Sequence, residues 1–235
     1  MDYIKSYINE SKSPLYSLII VLPIIIIYEI LIFSMNKSDI IGIRNGADVL
    51  FRQFFALFGI FGFYFVGFVI MVVLIFIFAF NKSRKIQFSI NFQFILLMLM
   101  ESIIYAYILR VVMDKMLMIS LMDVDSLSKK EMFAMCLGAG IYEEFIFRFM
   151  IMQAVFLVSK QVFKMRKATA IAMGILISAL IFSGFHYIGE FGDQIQLLTF
   201  LFRFFAGMIL SVIFLLRGYG IAVYTHTIYD LLLFI

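Results

Sequence analysis

Long uninterrupted runs of apolar residues constrain this chain more than any other feature of its sequence. Residues 61–80, for example, include no charged residue, and a helix of about 20 apolar residues spans the roughly 30 Å hydrocarbon core of a bilayer. Apolar residues make up 64% of the 235 residues and charged residues only 14%, against about half and about a quarter in soluble proteins. In lipid every backbone polar group must be paired internally. The sequence therefore predicts an all-α, polytopic transmembrane bundle in a single membrane domain, 1–235.

Seven segments are long and apolar enough to be predicted spans: 15–34, 61–80, 92–113, 133–159, 168–187, 196–216 and 219–235. The mixed stretch 36–59 is predicted to be an amphipathic helix at the interface or re-entering the bundle, and there would be eight spans if 47–59 crosses. The Lys and Arg residues lie in short clusters between the apolar runs, a pattern typical of membrane loops and not of nucleic-acid binding.

The distribution of these loop charges predicts an orientation. A cytoplasmic N terminus places ten Lys and Arg residues on the inner side and six on the outer, which the positive-inside rule favours. The Ile-, Lys-, Phe- and Asn-leaning composition favours a bacterial cytoplasmic membrane as the location.

Ionisable residues inside the predicted spans are the informative ones, because each costs at least about 2.5–3.5 kcal/mol at the bilayer centre. They are Glu29, Glu101, Arg110, Glu143, Glu144, Arg148, His186, Arg203, His226 and Asp230, and they include both histidines of the chain. We interpret Glu29, Glu101, Arg110 and Arg203 as structural neutralisers that pair across helices. The polar cluster 43–48 is interpreted as a solvated helix start.

The first motif of interest is Glu-Glu-x-x-x-Arg at residues 143 to 148. Glu144 and Arg148 are four residues apart, so on an α-helix they share a face and can pair. Glu143 should then point away from Arg148 and face a cavity, where a carboxylate can act as a general base. A structural ion pair with a spare glutamate is the alternative interpretation.

Two histidine motifs follow on later spans. In Phe182-Ser-Gly-Phe-His186, Phe182 shares a helix face with His186, and small Ser183 and Gly184 would allow another helix or a substrate to approach closely. His226 and Asp230 are also four residues apart, and a carboxylate beside an imidazole can fix its tautomer. His-Glu-x-x-His, Gly-x-Ser-x-Gly and phosphate-binding loops are absent from the sequence.

The three motifs, in this order and on separate spans, resemble those of the CPBP family of intramembrane proteases, which contains the CAAX proteases and bacteriocin-processing (Abi) enzymes. The resemblance covers residues 133–235. It implies an intramembrane endopeptidase acting on a membrane-embedded or lipidated peptide or protein tail.

The resemblance also implies roles for individual residues. Glu143 with His186 would activate water, and His226 with Asp230 would stabilise the oxyanion or orient its donor. Glu144, Arg148 and Phe182 would support the site. Family members that cleave prenylated tails have Asn in place of Asp230, so Asp230 would donate only if protonated, and otherwise it would orient His226 as the donor.

Two further points stay open on sequence. Glu143, His186, His226 and Asp230 are N and O donors that could hold Zn²⁺, although we expect metal-free chemistry and no cofactor. A proton-coupled transporter and a non-catalytic immunity or scaffold protein are the alternative functions. The predicted spans put His186 at the end of its helix and Glu143 deeper, so the site forms only if helices are offset, kinked or tilted.

Overall fold

The computed structural model describes residues 2–35, 46–56, 90–114, 128–188 and 192–233, and the predicted span 61–80 lies outside them. The described residues form helices and no strands, which confirms the predicted all-α bundle. The helices are α1 (Asp2–Ser11), α2 (Pro14–Phe33), α3 (Gly46–Ala56), α4 (Phe92–Asp114), α5 (Lys129–Gly138), the π-helical segment π1 (Ala139–Met152), α6 (Gln153–Gln161), α7 (Lys167–Phe185), α8 (Leu197–Arg217) and α9 (Tyr219–Leu233). The three elements α5, π1 and α6 follow one another without a break.

Four of these helices, α2, α4, α7 and α8, are long and apolar enough to cross a membrane. Their outer faces carry large apolar side chains that remain exposed; on α4, Phe92 is 78% exposed and Tyr107 is 64% exposed. Such a surface would be unfavourable in water but is solvated by lipid tails. The protein is an integral membrane protein.

Helix α9 forms the centre of the bundle. It packs against α2, α4, α5, π1 and α8, and Ile221, Ala222 and Val223 are fully buried. Its 15 residues rise only about 22 Å, less than the hydrocarbon core of about 30 Å. Because five other elements pack around α9, its polar side chains can be kept from lipid.

Glycine brings α9 close to two of its neighbours. A Cβ on Gly140 would lie 2.0 Å from Thr227 Oγ1 and 2.9 Å from the Val223 carbonyl oxygen, and a Cβ on Gly220 would lie 2.5 Å from Ile20 Cγ2. Such contacts are impossible for a larger residue unless the helices separate. The backbone of π1 therefore touches α9 one residue away from His226.

Local signals set several helix boundaries. The Ser13 side chain accepts a hydrogen bond from the Tyr16 amide at the start of α2, and Ser128 and Glu131 form a capping box at the start of α5. These side chains satisfy backbone donors that the first helical turn leaves unpaired. Helix α8 ends at Gly218, whose φ of 85° suits a residue without a Cβ.

The predicted pairing across helices is confirmed for Glu29 and Glu101 but was wrong for Arg110 and Arg203, which pair with Asp114 on the same helix and with Asp193 in the segment before α8. Glu101 on α4 pairs with Arg217 at the end of α8, with 2.5 Å between Arg217 Nε and Glu101 Oε1. Arg217 is 7% exposed, so it is a buried partner and not one of the loop cations that were counted on the inner side. Tyr7 of α1 also donates to Glu101, at 2.5 Å, and this contact ties α1 to the bundle.

Candidate active site

Glu143, Glu144 and Arg148 lie on π1 and are buried, with exposures of 4%, 0% and 0%. Arg148 Nη1 lies 3.1 Å from Glu144 Oε1, in agreement with the pairing expected from their spacing. Glu143 is also within electrostatic range of Arg148. Both carboxylates are therefore close to the single guanidinium of this helix.

His226 of α9 lies between three carboxylates. Its Nδ1 is 2.7 Å from Glu144 Oε1, while its Nε2 is 3.8 Å from Glu143 Oε2 and 3.5 Å from Asp230 Oδ2. The Nδ1 contact has hydrogen-bond length, and the two Nε2 contacts are longer than a normal hydrogen bond. Glu144 therefore fixes the orientation of the imidazole, and Nε2 is directed between Glu143 and Asp230.

The expectation that the helix separates Glu143 from Glu144 was wrong. It assumed an α-helix, in which consecutive side chains are about 100° apart. In a π-helix the hydrogen bonds run from residue i to i+5, so residues five apart, such as Glu143 and Arg148, lie nearer to one face than in an α-helix. Glu143 and Glu144 each have a carboxylate oxygen within 4 Å of a ring nitrogen of His226.

Phe182 of α7 connects the three motifs. Its ring centroid is 5.0 Å from that of His186 and 6.1 Å from that of His226, both in edge-to-face geometry. The Arg148 guanidinium carbon lies 4.3 Å from the same centroid, a cation–π contact. A Cβ on Gly207 would lie 2.9 Å from this ring, so the glycine of α8 leaves the space that Phe182 occupies.

His186 lies at the C-terminal end of α7 and is partly exposed. Its Nδ1 is 2.9 Å from the Phe182 carbonyl oxygen, one of the last four helix carbonyls, which have no intrahelical donor. A proton on Nδ1 satisfies that carbonyl, so in the neutral imidazole Nε2 carries the lone pair. Glu143 and His226 are near enough to the His186 ring to interact with it electrostatically.

The seven predicted site residues therefore occupy one connected site. Its members are Glu143, Glu144, Arg148, Phe182, His186, His226 and Asp230. The offset between the predicted depths of His186 and Glu143 is bridged by Phe182, whose ring contacts both histidines. Asp230 is the more accessible carboxylate, with 22% of its side chain exposed against 6% for Glu143.

Glu143, His186, His226 and Asp230 are also the N and O donors that the sequence suggests could hold Zn²⁺. Among the residues that the structure describes, no group of three or more His, Cys, Asp or Glu side chains is arranged to hold a metal ion. The geometry of the described residues therefore assigns no catalytic step to a metal ion.

Residues 127–232, which contain all three motifs and every predicted site residue, match the family model described as type II CAAX prenyl endopeptidase Rce1-like. This segment is similar to an Rce1-like domain. The match confirms the resemblance to the CAAX proteases. No curated protein and no solved structure matches the chain.

The Rce1-like domain is contacted by polar residues from the N-terminal part of the chain. Arg52 of α3 pairs with Glu29 of α2 and Nε lies 2.5 Å from Asp48 Oδ1. Arg52 Nη2 also lies 3.4 Å from the hydroxyl of Tyr142, the residue before Glu143. The network joins α2 and α3 to π1 directly beside the site.

The interpretation of 43–48 as a solvated helix start was wrong for Asp48, and residues 43–45 lie outside the described residues. Asp48 is fully buried and accepts a hydrogen bond from Tyr28 at 2.7 Å. Its spacing of four residues from Arg52 is the same as that of Glu144 and Arg148. This spacing was the sequence signal that could have identified the network.

Proposed function

We propose that this protein is an intramembrane endopeptidase that hydrolyses a peptide bond in a membrane-associated peptide or protein tail. The observation that carries the proposal is the convergence of Glu143, Glu144 and Asp230 on His226 inside a bundle of membrane-spanning helices. The match of residues 127–232 to a family of endopeptidases supports hydrolysis of a peptide bond. Because the family is described as prenyl endopeptidases, a prenylated C-terminal tail is the first substrate class to test.

Glu143 is proposed to act as the general base. A water bound between the Glu143 carboxylate and Nε2 of His186 would lose a proton to Glu143 as its oxygen attacks the scissile carbonyl carbon. When the C–N bond breaks, the leaving amine would take that proton from Glu143. Positioned acid–base groups of this kind contribute about 10²–10⁴-fold to a rate.

His226 is proposed to stabilise the oxyanion. In its protonated form it would donate Nδ1–H to Glu144 and present Nε2–H between Glu143 and Asp230. The Nε2 contacts of 3.8 Å and 3.5 Å are long enough for a substrate oxygen to become the better acceptor. Of the two roles considered for Asp230, orienting His226 is therefore favoured over donating to the oxyanion.

Arg148 and Phe182 are proposed to hold this arrangement. Arg148 pairs with Glu144 and stacks on Phe182, whose carbonyl in turn holds His186. A displacement of either residue would therefore move both histidines relative to Glu143.

The test is cleavage of a prenylated, internally quenched tail peptide by the purified full-length protein in detergent. Glu143→Gln and His186→Ala are expected to lower kcat by at least about 100-fold, while Glu10→Gln, the same chemical change on the exposed face of α1, leaves it unchanged. Chelation with EDTA or 1,10-phenanthroline is expected to have no effect. If both site variants cleave as fast as wild type, the endopeptidase proposal is wrong; inhibition by chelators that added zinc reverses would overturn only its metal-free form.

A further inference from the structure

A second site candidate lies away from the catalytic residues, on the hairpin of α6 and α7. An apolar groove runs between these two helices, lined among others by Ala154, Val158, Phe163, Met165, Met173 and Ile177. Gly174 of α7 packs closely against the chain at the junction of π1 and α6, where a Cβ on it would lie 3.0 Å from the Met152 carbonyl oxygen and 3.8 Å from Phe156 Cβ. Phe163 and Met165, which lie between α6 and α7, line the groove, so it reaches the turn that connects the helices.

The length of the groove matches half of a bilayer. From Ile177 to the start of α7 at Lys167 the helix rises about 15 Å. That distance is about half of the 30 Å hydrocarbon core, which is the depth that one acyl chain occupies in a leaflet. Val158 and Phe163 remain 48% and 65% exposed, so the groove walls are open to such a chain.

Four cations surround the open end of the groove: Lys160, Lys164, Arg166 and Lys167. All four are exposed. In the part of the chain that the structure describes, none of them forms an ion pair, and no acidic residue occurs between Glu144 and Glu190. Among the described residues, no acidic side chain therefore neutralises the positive charge at this turn.

The turn is built so that apolar and cationic side chains alternate. Lys164 has a φ of 53°, a left-handed conformation that is uncommon for lysine, and the Met165 amide donates to the Ser159 carbonyl at 3.1 Å. This tight reversal lets Phe163 and Met165 line the groove, while Lys164 and Arg166 belong to the exposed cationic rim. An apolar chain and an anionic head group would thus find their contacts at adjacent positions.

We propose that this hairpin binds one anionic phospholipid, with an acyl chain in the groove and the phosphate on Lys164, Arg166 and their neighbours. Charge complementarity selects this occupant over a zwitterionic lipid, since the rim carries four positive charges and no negative one. The site is independent of the catalytic residues and of the proposed function.

The test is native mass spectrometry of the full-length protein released from nanodiscs that contain phosphatidylglycerol and phosphatidylcholine. Wild type is expected to retain one phosphatidylglycerol preferentially. Lys164→Gln with Arg166→Gln is expected to weaken that retention about 30-fold, because each basic residue near an anionic surface contributes about fivefold. Ala154→Phe, which fills the groove without changing charge, is expected to lower retention as well.

Lys5→Gln with Lys12→Gln removes the same charge from another part of the chain and serves as the matched control. If this pair loses as much phosphatidylglycerol as the turn variants, attraction to the lipid is general and the proposed site is wrong. If Ala154→Phe retains as much phosphatidylglycerol as wild type, no acyl chain binds in the groove and the proposed site is wrong. Glycerophosphoglycerol, which lacks acyl chains, is expected not to compete.

Discussion

Gly140 is the position at which a single methyl group should have the largest effect on the site. In a Gly140→Ala variant the new Cβ would lie 2.0 Å from Thr227 Oγ1, 3.1 Å from Thr227 Cβ and 2.9 Å from the Val223 carbonyl oxygen. Rotation of the Thr227 side chain cannot relieve all of these contacts. Thr is β-branched, so rotation can bring its methyl group into the position that Oγ1 leaves, and the Val223 contact is with a backbone atom that no side-chain rotation moves. The two helices must separate by at least about half an ångström to restore an ordinary contact.

The separation would move His226, which lies between Val223 and Thr227 on α9. Overpacking of this kind typically costs about 1–3 kcal/mol of stability. A displacement of about 1 Å at a catalytic group can cost about 100-fold in rate, so a shift of about half that size should lower kcat roughly tenfold. The expected result is a protein that folds but melts earlier and cleaves more slowly.

The chain supplies its own reporter for the stability measurement. Cys136 is its single cysteine and is buried, so a fluorogenic maleimide reacts only as the bundle opens on heating. Gly184→Ala is the matched control for the melting temperature, since a Cβ there meets no atom of the described residues within 4 Å and should be neutral or stabilise by about 0.5–1 kcal/mol. If Gly140→Ala matches Gly184→Ala in melting temperature and wild type in kcat, the close contact between π1 and α9 does not position His226.

A second substitution tests the stated cause of the effect. Thr227→Ala removes the oxygen that the new methyl group would meet at 2.0 Å, and this oxygen is buried with no hydrogen-bond partner among the described residues. In a double-mutant cycle, Thr227→Ala should recover part of the stability lost in Gly140→Ala, with a coupling of about 0.5–3 kcal/mol. Strict additivity would show that the loss arises elsewhere.

Two further predictions concern the buried polar contacts. Arg148→Lys keeps the charge but loses the guanidinium that lies over the Phe182 ring and pairs with Glu144 through Nη1, so its melting temperature should fall by several degrees; a melting curve identical to wild type would contradict this. The pKa of Tyr7 is raised by burial and by its hydrogen bond to Glu101, so its contribution to stability is complete below the usual phenol pKa of about 10 and is lost as pH rises above it. The difference in melting temperature between wild type and Tyr7→Phe should therefore be constant from pH 7 to about 9.5 and shrink by about pH 11, and a difference unchanged at pH 11 would refute the contact.

The apolar runs predicted most of the helix positions. The predicted spans 15–34, 92–113 and 196–216 differ by at most one residue at each end from α2, α4 and α8, because a span is determined by local hydrophobicity and by the thickness of lipid. Pairs at a spacing of four residues, such as Glu144 with Arg148, could likewise be found from the sequence. Both kinds of information are local.

Contacts between distant residues could not be predicted in this way. Glu101 pairs with Arg217, which lies 116 residues later, and the sequence offered several cations of equal merit. Arg52 reaches Tyr142 across 90 residues, and only the packing of α3 on π1 brings them together. Which charges neutralise each other depends on how the helices pack.

The sequence by itself determined that the chain is a membrane-embedded helix bundle and which seven side chains are candidates for chemistry. Only the tertiary structure decided how these side chains face each other. The π-helical segment brings Glu143 nearer to the face of Arg148, and the close contact of Gly140 with α9 brings His226 within 4 Å of both Glu143 and Glu144. The physical reason is that an assumed α-helical period predicts side-chain directions only where the backbone keeps that period, and the approach of two helices is set by the residues of both.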